Sequence, residues 1–141
     1  MEWMIVPFKR YFDFSGRSRR KEYWMFTLFN VIVYAVLITI CLLGVPWKDM
    51  SDGAADPKPG IALWLGLGLI AIYFLASVIP SIAVTVRRFH DQDMSGWFYF
   101  LRFIPYVGGI VLIVFMCIQG TKGENRFGYD PLGNGPADTF L

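Results

Sequence analysis

Residues Tyr23 to Leu43 are 21 consecutive positions without a charged side chain. Few environments suit such a stretch. In an apolar medium every backbone polar group must be satisfied inside the protein, and a single helix does this by itself. At 1.5 Å per residue, 21 residues cover about 31 Å, the thickness of a bilayer's hydrocarbon core. Two more apolar stretches follow, Ile61 to Val86 and Trp97 to Ile118. The chain therefore reads as an all-α membrane protein with about three transmembrane helices. Composition supports this, because 55% of residues are apolar before glycine is counted, against about 45–50% with glycine included in a soluble domain. A soluble core built from 141 residues leaves too much of its surface wet to hide that excess.

Three regions follow from the pattern: a basic and aromatic N-terminal segment (1–22), a transmembrane helical domain (23–118) and a turn-rich tail (119–141). In the first, Met4, Phe8, Tyr11 and Phe12 share a face at helical spacing, which fits a short interfacial helix or a solvated arm whose aromatics pack on the rest of the protein; Pro7 limits any helix here. The first apolar run exceeds a signal peptide's ~7–15 residues and lacks a small-residue cleavage site, so it is expected to stay as an anchor. Its one strongly polar member, Asn30, reads as an interhelical hydrogen-bond partner. Gly, Pro and Asp make 44–60 a solvated loop. In the second span, Ala62 and Gly66 are spaced for close helix packing. Pro80 predicts a kink, and Ser77, Ser81 and Thr85 form a polar stripe. In the third, Pro105, Gly108 and Gly109 disturb the middle; one kinked span is the first expectation and a re-entrant segment that returns to its starting side the alternative. Trp24, Trp64 and Trp97 begin the three spans, where amphipathic rings prefer the headgroup level.

Basic residues set the expected orientation. Six precede the first span, two lie in loop 44–60, two in loop 87–96 and two after the third span. The excess on the N-terminal side places the N-terminus in the cytoplasm. The same cluster reads as a membrane flank, and no nucleic-acid partner is expected. The expected partners are the lipid bilayer and other membrane proteins or further copies of the chain.

Three polar motifs interrupt the apolar pattern. They are Gly16-Arg17-Ser18-Arg19-Arg20-Lys21-Glu22-Tyr23-Trp24, then Arg87-Arg88-Phe89-His90-Asp91-Gln92-Asp93-Met94-Ser95-Gly96-Trp97, then Asn125-Arg126-Phe127-Gly128-Tyr129-Asp130-Pro131. In these motifs the chain resembles a bacterial inner-membrane family catalogued as domain of unknown function 805. The family pattern reads G-R-x-x-R-x-E-Y-W, R-R-x-H-D-x-x-x-S-G-W and N-R-[YF]-G-x-D-P. The resemblance runs from about residue 9 to 132, with Arg102 in a usually apolar place and Tyr129 in place of a frequent proline. It implies a multi-pass inner-membrane location and brings no activity, substrate or catalytic residue.

Arg17, Arg20, Glu22, Arg87, Arg88, His90, Asp91, Asp93, Ser95, Asn125 and Arg126 form the candidate motif cluster. The first two motifs adjoin one membrane face with partly opposite charge, so Arg17 or Arg20 is expected to face Asp91 or Asp93. Ser95 is placed to cap the helix that follows. His90 with its two aspartates is the one group suited to acid–base or cation chemistry. The blander reading, that the aspartates orient the loop, fits better. Cys41 and Cys117 both lie in apolar runs and suit buried thiols. No P-loop, dinucleotide turn, H-E-x-x-H or G-x-S-x-G motif is present. No catalytic residue, metal ligand or cofactor is expected. The role that needs least machinery is a small scaffold or adaptor acting through the cytoplasmic cluster. A permeation element using the polar stripe and kink, or an enzyme acting on lipid-linked groups, are the alternatives.

Overall fold

The structure is a computed structural model describing residues 2–133; Met1 and residues 134–141, the end of the tail, lie outside the described residues. The chain is an all-α membrane protein. Its elements are α1 (Glu2–Lys9), α2 (Arg20–Leu43), α3 (Trp47–Ser51), α4 (Ile61–Asp91), a 3-10 helix (Gly96–Phe103) and α5 (Gly108–Cys117). Both α2 and α4 are long and apolar enough to cross a membrane. Their exteriors expose Val31, Ile32, Val36, Ile72 and Leu75. In water such a surface would be unfavourable by roughly 25 cal/mol per Å²; acyl chains remove the penalty.

At 1.5 Å per residue α4 measures about 46 Å, close to the ~40–45 Å of a bilayer with its headgroup regions. It runs through the buried Pro80 without a break and continues five residues past the expected end of the span. Arg87 to Asp91 stay helical because their charges are paired within the protein. The N-terminal helix is also shorter than the aromatic spacing suggests. It ends at Lys9, so Tyr11 and Phe12 fall in the turn beyond it. Loop 44–60 carries one helical turn, α3.

The described residues fall into two compact units, Leu28–Ser77 and the remainder. Within Leu28–Ser77 the two long helices pack closely where side chains are smallest. A Cβ added at Gly66 would collide with Cys41, and one at Gly44 with the backbone of Ala62 and Leu63. Gly60 N–H donates to the Gly44 carbonyl at 2.8 Å, closing the hairpin. Asn30 does bridge helices: the Tyr73 hydroxyl donates to its Oδ1 at 2.9 Å. Tyr34 and Ser77 hydroxyls lie 3.2 Å apart, and the two tyrosine rings meet edge to face at 5.2 Å.

The other unit holds α1, the start of α2, the end of α4 and the described residues after it. Its core is Phe89, Leu112 and Met116, with Tyr23, Met94, Tyr99 and Phe115 packed around them. Here Thr85 donates its hydroxyl to the Ser81 carbonyl at 2.7 Å, so this part of the polar stripe is spent on its own helix.

The segment 97–118 is not one kinked span. The 3-10 helix and α5 are separated by a turn at Pro105–Val107, with Tyr106 at φ 67°. At 2.0 and 1.5 Å per residue the two pieces are about 16 and 15 Å long, half a hydrocarbon core each. They fold back on each other, and a Cβ at Gly108 would strike the Leu101 and Arg102 carbonyls. Phe98 and Phe115 both pack on Phe89. The segment leaves from Ser95, and Thr121 N–H returns to the Asp91 carbonyl at 2.8 Å. Start and finish meet at the same end of α4, which is the re-entrant alternative. Proline and two glycines within five residues break the ladder that a span requires.

Candidate functional site

The end of α4 carries three motif residues into the protein rather than into water. Arg87 and Arg88 are fully buried, and Asp91 is buried with them. An α-helix places residues three apart on one face, and Arg88 reaches Asp91 Oδ2 with its Nη1. The other carboxylate oxygen, Oδ1, accepts from Arg17 Nε at 3.0 Å. Asp91 therefore sits between two guanidiniums. Arg87 turns aside and donates to Glu22 Oε1 at 3.0 Å. Asp130, partly exposed, approaches Arg17 at 4.0 Å, so three guanidiniums meet two buried carboxylates and a third at the rim of the pole.

Backbone carbonyls accept most remaining donors. Arg17 Nη1 donates to Gly123 at 2.6 Å and Nη2 to Thr121 at 2.5 Å. Arg88 Nη2 donates to the Ile118 carbonyl, Gln92 to Phe115 at 2.6 Å, and Asn125 to His90 at 2.9 Å. Ser18 N–H donates to Arg87 at 3.2 Å. Four stretches of chain are thus pinned together: the loop before α2, the end of α4, the end of α5 and the tail. Gly120 permits the closest approach, because a Cβ there would run into the Asp91 carboxylate. Arg87 Nε and Nη1 and Arg88 Nε are buried without a hydrogen-bond partner.

The expected pairing of Arg17 with Asp91 is present. Arg20 is not part of it; it is exposed and donates to the Cys117 carbonyl at 3.2 Å. Asp93 pairs instead with Arg126 at 3.1 Å on the surface. Ser95 caps the 3-10 helix, accepting from Trp97 N–H at 3.5 Å. His90 lies flat on Phe127, ring centres 3.9 Å apart and planes within 3°, and Arg126 covers that phenyl ring at 4.9 Å. Cys41 is buried as expected, but Cys117 is exposed.

Gln92, Gly120 and Thr121 belong to the pole and were outside the expected cluster. Their signal was weak, because carbonyl acceptors and a glycine's missing side chain carry no chemical label. Two carboxylates outside the spans are held below their usual range. Asp130 is lowered chiefly by backbone N–H donors, Leu132 first and then Gly123. Asp13, which pairs with Arg10 at 2.6 Å, is lowered to about 2, mainly by the Ser15 hydroxyl.

Comparison with known proteins gives the same location. The family model described as protein of unknown function DUF805 matches residues 11–129. Inner membrane protein YhaI of Escherichia coli K12 is 42% identical over 134 residues, covering 93% of this chain and 96% of the relative. Inner membrane protein YhaH of the same strain is 42% identical over 132 residues, covering 93% and 97%. The uncharacterized protein YiiR is 26% identical over 144 residues. No solved structure matches significantly.

Proposed function

We propose, for a chain that belongs to the DUF805 family, a role as a small scaffold or adaptor in the bacterial inner membrane, with its charged pole in the cytoplasm. One observation carries this reading: the pole spends its strongest charges internally. Arg17, Arg88 and Asp91 are buried on one another and on the backbone. Such a network fixes the shape of a surface; it does not offer its groups to a substrate. What remains outward is a rim of Arg20, Lys21, Lys122 and the Arg126–Asp93 pair. A rigid rim of charges on a membrane anchor suits recognition of another protein or a second copy, because surface charge complementarity sets encounter rate and orientation. On this reading the chain catalyses no reaction.

Photocrosslinking in cells tests the role. A benzoylphenylalanine placed at Lys21 or at Lys122 is expected to give a discrete adduct that weakens when Asp91→Ala loosens the pole. Absence of any adduct from either position would count against an adaptor. Solute uptake by proteoliposomes, or turnover abolished by His90→Ala, would replace it with a permeation or enzymatic role.

A further inference from the structure

Beside the charged pole lies a groove of about 740 Å³, formed between the last part of α4 and the 3-10 helix. Val78, Ile82 and Val86 make one wall and Tyr99, Phe100 and Phe103 the other. His90 and Ser95 stand at one end. Gly96 keeps that end open: a Cβ there would press on Val86 and come within 3.4 Å of His90 Nε2.

We propose that this groove binds one acyl chain of an anionic glycerophospholipid, with the phosphate seated at His90 and Ser95. This goes beyond the adaptor role and does not depend on it. Length is the first argument. From Val78 to His90 is twelve residues, about 18 Å along a helix, and one leaflet with its headgroups is about 20 Å deep. The groove is therefore one leaflet long, apolar at one end and polar at the other, as a lipid is. Volume is the second, and it lies within the ~300–1,000 Å³ usual for small-molecule sites. Charge is the third. The His90 ring and Ser95 hydroxyl provide donors for a phosphate, and Arg126 is held over Phe127 against His90. Arg126 is paired with Asp93 on the exposed surface at 3.1 Å, a weak contact in water, so its guanidinium can exchange that carboxylate for a phosphate at the polar end, where anionic headgroups gather.

The test is native mass spectrometry of the full chain released from mild detergent, titrated with dioleoylphosphatidylglycerol or dioleoylphosphatidylcholine. A saturable single-lipid adduct is expected, favouring phosphatidylglycerol at least threefold. Ile82→Trp fills the apolar end and should lower retention of both lipids about tenfold. His90→Ala should remove the headgroup preference while a single adduct persists. If Ile82→Trp fails to fold by circular dichroism, Val78→Phe obstructs the same wall with less added volume. Equal retention by wild type and a folded groove-filling variant would overturn the proposal. So would a lipid-free dimer whose mass is lost with that variant, since a second copy would then be the occupant.

Discussion

Asp91 is the residue on which most of the pole depends. It joins Arg17 and Arg88, and both guanidiniums then reach carbonyls at the end of α5 and in the tail. Removing one member of a buried pair leaves an uncompensated charge and costs about 3–5 kcal/mol. Asp91→Ala should therefore destabilise the detergent-solubilised protein by about that much. Arg17→Ala should cost less, because Arg88 still holds the carboxylate. The double variant should lose less than the two losses combined, by about 1 kcal/mol or more. The exposed Arg126–Asp93 pair supplies the contrast, worth about 0–1 kcal/mol. Additive losses for Arg17 and Asp91 in chemical denaturation would contradict the pairing. A second residue-scale prediction concerns Asp13. Its carboxyl is lowered from 3.8 to about 2, first by the Ser15 hydroxyl. A group whose folded value lies below its unfolded one stabilises the fold above the unfolded value and loses that effect as pH falls. The window is from about 4 down to about 2. Ser15→Ala should move the Asp13 midpoint upward in an NMR titration; an unmoved midpoint would mean that Arg10 and the Ser15 backbone N–H, which also donates to Asp13 at 3.0 Å, set it without the hydroxyl.

Among the elements, the two long helices were legible because hydrophobic length needs no partner to be recognised. Asn30 was legible too, since a lone amide in an apolar span must find a hydrogen bond, and Tyr73 supplies it. The third segment was harder. Its 22 residues have the hydropathy of a span, and only Pro105, Gly108 and Gly109 signal the break. Which way a broken segment turns depends on Arg88, Gln92 and Asp91 gripping its far end through backbone atoms, and backbone acceptors leave no trace in a sequence. Arg17 with Asp91 was foreseeable from charge and position, whereas Arg87 with Glu22 required knowing that α4 continues past Val86. Close packing of α2 on α4 gives a prediction at this scale. Gly66→Leu drives a branched side chain into Cys41, and overpacking costs about 1–3 kcal/mol or more. Thermal melting in detergent should fall accordingly, and Cys41→Ala should recover part of the loss by making room. An unchanged melt for Gly66→Leu would show that the helices separate at that level without penalty.

For the whole molecule, the return of segment 97–118 changes how charge is distributed about the membrane. Residues before the first span, those from Arg87 to Gly96 and the described part of the tail now share one side. Ten of the thirteen Lys and Arg residues lie there, Lys48 and Lys58 lie in loop 44–60, and Arg102 lies in the 3-10 helix. Ten against two is a stronger asymmetry than the eight against four of a three-span reading. Because translocation of positive charge is resisted, the ten-residue side should be cytoplasmic. The tail is tied to the N-terminal loop through Arg17, which donates to Thr121 and Gly123, so both should have the same accessibility. Single cysteines at Lys9, Ala54 and Lys122, all exposed, test this after Cys41→Ala and Cys117→Ser remove the native thiols. With an impermeant maleimide on intact cells, the Ala54 position should label, while Lys9 and Lys122 should label only after permeabilisation. Labelling at Lys122 with Lys9 silent would mean that the third segment crosses the membrane. Labelling at both with Ala54 silent would invert the protein, and the charge asymmetry would then have to be outweighed by something other than loop charge.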